Sequence, residues 1–153
     1  MNASVQTPQG NTKVLILATL AFATCFAAWA MFSPLAAYLR AEFKLSSTSV
    51  GLLLATPVLL GSIARVPIGV LTDKFGGRRV FSILLLFGFF PMFIAGFAKS
   101  YEFLLVCGFF FGILGTSFAV GIPQVSQWYP KEKQGLALGI YGVGNIGSAV
   151  AAF

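Results

Sequence analysis

An all-α, membrane-spanning bundle is what this sequence predicts, and three observations carry the prediction. The chain is 58% hydrophobic and only 9% charged, far below the roughly one-quarter charged content of soluble domains. No soluble fold of 153 residues could bury so much apolar surface, so the excess faces lipid or other membrane helices. The apolar residues gather in long runs, each near the ~20 residues needed to cross a ~30 Å hydrocarbon core. Short polar links separate them, and a barrel would instead need ~10-residue alternating segments.

Five runs can be placed. A polar tail over residues 1–13 precedes the first, 14–39, which is longer than one crossing requires and should bend at Pro34. The tail leads into a run too long for a secretory leader, so no cleavable signal is expected. The second run, 50–71, contains Pro57 and Pro67; the third covers 80–98 and the fourth 103–128. The fifth, 135–153, reaches ~28 Å only if every residue is helical. No polar exit follows it, so the transmembrane bundle 14–153 is expected to be truncated in its fifth helix and to be the front part of a longer protein.

Charge sets an orientation. A cytoplasmic N-terminus gives that side Lys13, Lys74, Arg78, Arg79, Lys131 and Lys133, against Arg40, Lys44 and Lys99 opposite. Six against three predicts the N-terminus inside, in a multi-pass plasma (inner) membrane protein. The net charge of +6 does not point to nucleic acid, because the basic residues form no patch with interleaved aromatics. Cys25 and Cys107 lie inside apolar runs and read as small buried hydrophobes, not as a disulfide or metal pair. No metal cluster or nucleophile–base pair is found, so an enzyme is not expected.

Arg65 is the one charge within the second run. An ionisable side chain at that depth costs at least ~2.5–3.5 kcal/mol, which marks a functional site by default. Gly61 and Gly69 stand four residues to either side and share its helical face. A glycine-lined face packs against protein, so Arg65 is expected to point inward; snorkelling to the interface is the other reading, since it lies ~7 Å from the middle of the run. The guanidinium is planar, permanently charged and able to donate two parallel hydrogen bonds to a flat oxyanion.

The link after the second run reads GVLTDKFGGRR, from Gly69 through Asp73, Lys74, Gly76 and Gly77 to Arg78 and Arg79. Two glycines permit a tight reversal. Asp73 can accept hydrogen bonds from helix N-terminal amides, and the arginines can tie carboxylates between helix ends. The pattern G-x-x-x-D-[RK]-x-G-G-R-R resembles the signature of the major facilitator superfamily. The resemblance implies twelve helices in two halves, of which this chain holds about five, with the cluster acting as a conformational latch in alternating access.

In the fifth run, Gly142, Gly144 and Gly147 match G-x-G-x-x-G. That fingerprint needs a preceding strand and a later acid; neither is present, and no cofactor is expected. Small residues at i,i+4, such as Gly135 with Gly139 and Gly108 with Gly112, instead allow close helix packing, as do Gly61, Gly142 and Gly147. The block G-x-x-G-x-G-N-x-G with Asn145, and the preceding WYPKEKQG, resemble the nitrate/nitrite porter family. That resemblance implies a secondary transporter of nitrate or nitrite, with Arg65 holding the anion and Phe118, Gly144 and Asn145 lining its passage. The implied partners are the anion, the lipid bilayer and the missing C-terminal half. Two readings stay open beside it: a superfamily carrier of another organic anion or drug, and a non-transporting membrane sensor or helix-packing subunit. The acids Glu42, Asp73, Glu102 and Glu132 all fall in links or helix ends, so no proton-carrying carboxylate is expected within the membrane here.

Overall fold

The computed structural model describes residues 10–152. Residues 1–9 of the expected tail, and Phe153 at the end of the fifth run, lie outside the described residues. Everything regular within them is helical, and no strand occurs among the described residues. The helices are α1 (Thr12–Trp29), α2 (Phe32–Glu42), α3 (Ser47–Ile63), α4 (Arg65–Phe75), α5 (Gly77–Ala95), α6 (Tyr101–Phe111), α7 (Ser117–Ser126), α8 (Lys131–Gly142) and α9 (Gly147–Val150). A 3₁₀ segment, Gly112–Thr116, joins α6 to α7, and another, Val143–Ile146, joins α8 to α9.

Polar caps start three of the five helical stretches. Asn11 accepts from the Val14 amide at 3.3 Å, Ser46 from Ser49 at 3.1 Å and Ser100 from Phe103 at 3.2 Å. Each satisfies an amide that the helix itself leaves unpaired. The helices therefore begin two to four residues before the apolar runs do, at Thr12, Ser47, Gly77, Tyr101 and Lys131.

The bends fall about four residues before the prolines, where the missing N–H leaves a carbonyl unpaired and the ring crowds it. The first stretch breaks at Ala30–Met31, not at Pro34 itself. The second breaks at Ala64, ahead of Pro67, where α3 and α4 meet at 44°. Pro57, Pro91 and Pro123 stay inside continuous helix.

Three stretches are long and apolar enough to cross a membrane, Thr12–Glu42, Gly77–Ala95 and Tyr101–Ser126, and a fourth if the bent α3–α4 pair is one span. Residues 131–150 are helical but do not join that count, because five glycines, Asn145 and a charged first turn dilute their apolar character.

α6–α7 lies at the centre of the bundle and packs on α1, α3, α4, α5 and α8. The core has two layers. One holds Leu15, Phe22, Phe81, Val120 and Tyr141; the other holds Cys25, Phe32, Leu53, Leu104 and Phe111. Glycines set the closest approaches. Gly112 meets the backbone of Pro57, and a methyl at Gly61 would stand 2.8 Å from the Gly112 carbonyl oxygen. Gly108 seats the Phe32 ring, Gly121 the Tyr141 ring and Gly147 the backbone of Ala23.

Candidate functional site

Arg65 opens α4 at the 44° bend. One turn earlier, Gly61 is buried where α3 crosses the Gly112–Thr116 segment; Trp29 closes this junction, its indole N–H donating to the Pro57 carbonyl at 3.5 Å. One turn later, Gly69 has nothing within 4 Å. The expected continuous glycine face is thus split by the bend: Gly61 packs on protein and Gly69 does not. The core side of α4 is marked by Ile68 and the buried Thr72, with Leu71 and Phe75 turned toward α5. Arg65 is exposed and, at 100° per residue, lies on the flank of α4 away from α5.

The depth of Phe118 follows from the same junction. Gly115 carries the Trp29 indole on its face, and Phe118 is three residues further on, as Arg65 is four residues past Gly61. α3–α4 and α6–α7 run in the same direction, so the two side chains leave their helices at about the same level, ~5–6 Å beyond the junction. The Phe118 ring lies 5.6 Å from that of Phe22 and 6.2 Å from that of Tyr141, and is 40% exposed. Phe22 also stacks on Tyr141 at 4.9 Å and meets Phe26, which in turn meets Trp29. This aromatic file along α1 joins the glycine junction to Phe118.

Asn145 lies in the Val143–Ile146 segment, which packs on α1. It is exposed, while its neighbours Gly144 and Gly147 are buried on α1, a methyl at Gly144 lying 2.9 Å from the Thr19 carbonyl oxygen. Gly144 was expected to line a passage; instead its missing side chain is filled by Phe22 and Thr19, and its role is clearance. Gly135, Gly139 and Gly142, expected at a packed face, meet nothing within 4 Å among the described residues. Counted along the helices, Arg65 and Phe118 stand at about the same level, and Phe118 and Gly144, the neighbour of Asn145, both pack on Phe22.

The link between α4 and α5 is a single residue. Gly76 has φ 81 and ψ 144, a conformation that side chains disfavour. Gly77 serves a different need: it is buried against Gln124, whose Cβ would lie 2.6 Å from an added methyl. Asp73, Lys74, Arg78 and Arg79 are exposed, and the two arginines diverge. Arg78 borders a groove with Val14 and Gln124, and Arg79 one with Leu71 and Phe75.

Several positioning residues escaped the sequence reading. Tyr141, fully buried, donates its hydroxyl to the Ser117 carbonyl at 2.8 Å and fixes α8 to α7. Gln134 donates to the carbonyls of Ser126 at 2.9 Å and Tyr129 at 3.1 Å, closing the α7–α8 turn. Tyr101 donates to the Ser49 carbonyl at 2.9 Å at the opposite end. The available signal was the spacing of Phe22, Phe26 and Trp29 on one helical face; nothing local marks Tyr141 or Gln134.

Residues 18–153 match the sequence model of the Major Facilitator Superfamily. A relative from Thermus thermophilus named "Probable nitrate/nitrite antiporter" is 45% identical over 141 residues, covering 92% of this chain and 32% of its own. Relatives named "Probable nitrate transporter" occur in Staphylococcus aureus (strain MRSA252), 42% identical over 139 residues, and in Staphylococcus carnosus (strain TM300), 39% identical over 139 residues. Those alignments cover 91% of this chain and 36% of each relative. The chain therefore spans about a third of the length of the curated relatives it matches.

Proposed function

We propose that this chain, which belongs to the major facilitator superfamily, contributes half of an anion site to a secondary transporter of nitrate or nitrite. One observation carries the reading: Arg65, the lone charge of the second apolar run, stands exposed at the bend between α3 and α4. The guanidinium places a permanent positive charge at that bend. The names of the relatives point to nitrate and nitrite as the anion.

In this reading Arg65 grips the flat oxyanion with paired N–H donors. Phe118 presents a ring edge and limits the slot by shape, and Asn145 offers its amide. Gly144 supports the layer from behind. Gly69, Asp73, Lys74, Gly76, Gly77, Arg78 and Arg79 form the latch that reports rocking to the other half of the transporter, with the N-terminus in the cytoplasm. The open glycines Gly135, Gly139 and Gly142 leave room for that half.

The test is Arg65→Lys in the whole transporter. Lysine keeps the charge and loses the planar fork. A charge-assisted hydrogen bond is worth ~1.5–3 kcal/mol, so the apparent KM for nitrate uptake should rise about ten- to a hundredfold. Uptake with an unchanged KM refutes the assignment.

A further inference from the structure

Between α4 and α5, on the flank opposite Arg65, runs a groove of about 390 Å³. Leu71 and Phe75 form one wall, Ile83 and Phe87 the other, and Ile113 the floor. Its one charged lining residue is Arg79, at the end beside the Gly76 junction. From Arg79 to Phe87 the groove follows α5 for ~12 Å. Leu71, Phe75, Ile83 and Phe87 are all exposed, so the groove opens to the surroundings of the bundle.

Among the described residues no carboxylate pairs with the charge at its end. α5 begins with Gly77, Arg78 and Arg79, no acid in its first turn and no side chain capping it. Cations at a helix N-terminus oppose the dipole, and the first amides have no acceptor within the helix. Asp73 cannot serve the groove: it lies two residues from Leu71, ~200° round α4 and on the far flank. Arg78 turns to the other side of α5, beside Gln124. An anion with a long apolar tail satisfies both halves of the feature, and basic pockets between membrane helices take lipid headgroups by this chemistry.

We propose that this groove binds an anionic phospholipid of the surrounding bilayer, one acyl chain lying along Phe75, Ile83 and Phe87 and its phosphate held by Arg79 at the start of α5. The guanidinium stem can lie along the apolar wall while its head stays at the interface.

The test uses the protein in nanodiscs, with Phe87→Trp as the one tryptophan (Trp29→Phe, Trp128→Phe) and acyl-brominated lipids as quenchers. Brominated phosphatidylglycerol should quench the residue-87 tryptophan about twofold more than brominated phosphatidylcholine. Arg79→Gln should bring the two to parity and Arg79→Lys should keep the preference. A control tryptophan at the outward-facing Leu86 should show parity throughout. In the protein with its own tryptophans, native mass spectrometry should find phosphatidylglycerol retained and Arg79→Gln should lose it. Parity in the parent, a preference that survives Arg79→Gln, or a residue-87 tryptophan quenched by neither lipid each overturns the proposal; the last means that protein covers the groove.

Discussion

Replacing Gly112 with alanine puts a methyl group against the backbone of α3 where it crosses the Gly112–Thr116 segment. The added carbon would lie 2.8 Å from both the carbonyl carbon and the Cα of Pro57, and closer still to its oxygen. Those atoms are backbone, so no side chain can swing away. Contact near 3.4–4 Å is ordinary, so α3 must retreat from the Gly112–Thr116 segment by more than half an ångström. The Trp29–Pro57 hydrogen bond, already 3.5 Å long, would open with it. Overpacking of this kind costs ~1–3 kcal/mol, and a backbone-to-backbone clash belongs at the upper end. Alanine returns up to ~1 kcal/mol over glycine in helical backbone, leaving a net loss of about 2 kcal/mol. At ~2–4 °C per kcal/mol for a chain of this size, melting should fall by ~4–8 °C. The assay is Trp29 fluorescence during thermal unfolding in detergent, in a Trp128→Phe background. Gly135→Ala is the matched control, because nothing lies within 4 Å of that position and the propensity gain should raise melting. If Gly112→Ala melts at or above Gly135→Ala, the close-contact account is wrong.

Further outcomes follow from other contacts. Gly121→Ala drives a methyl into the Tyr141 ring and should cost ~1–3 kcal/mol; Tyr141→Leu removes the obstacle, so the double variant should lose measurably less than the two single losses summed in thermal melts. Gln134→Ala removes two hydrogen bonds from the α7–α8 turn and should cost ~1–2 kcal/mol, read as faster tryptic cleavage at Lys131 and Lys133. At Gly76, φ 81 with ψ 144 is a region that asparagine does not share with glycine. Both Gly76→Ala and Gly76→Asn should therefore lower the melting temperature, and a wild-type melt for the asparagine variant would count against the strain.

The membrane class, the helix order and the family were legible in the sequence because hydropathy and the GVLTDKFGGRR link are local signals. Boundaries were not, since hydropathy sees only the apolar part of a helix. Ser47, Thr48 and Ser49 belong to the first turn of α3 although they are polar, because an N-cap pays back their exposure in hydrogen bonds. Pro34 announced a bend, yet the bend sits at the carbonyl the proline strands. Glycine spacing marked Gly61, Gly108, Gly112 and Gly147 as small but carried no information about neighbours. The same spacing marked Gly135 and Gly139, which meet nothing here. Arg65 stood out by charge alone, whereas its level relative to Phe118 depends on how α3 crosses the Gly112–Thr116 segment, which no single helix encodes.

Gly76 is the whole of the chain between α4 and α5, and a single residue carries ~3.8 Å of backbone with no slack to take up. Whatever tilts α4 must therefore drag the foot of α5, whose Gly77 is wedged on Gln124 of α7. A displacement at the foot of α4 is thus passed to α5 and, through Gly77, on to α7.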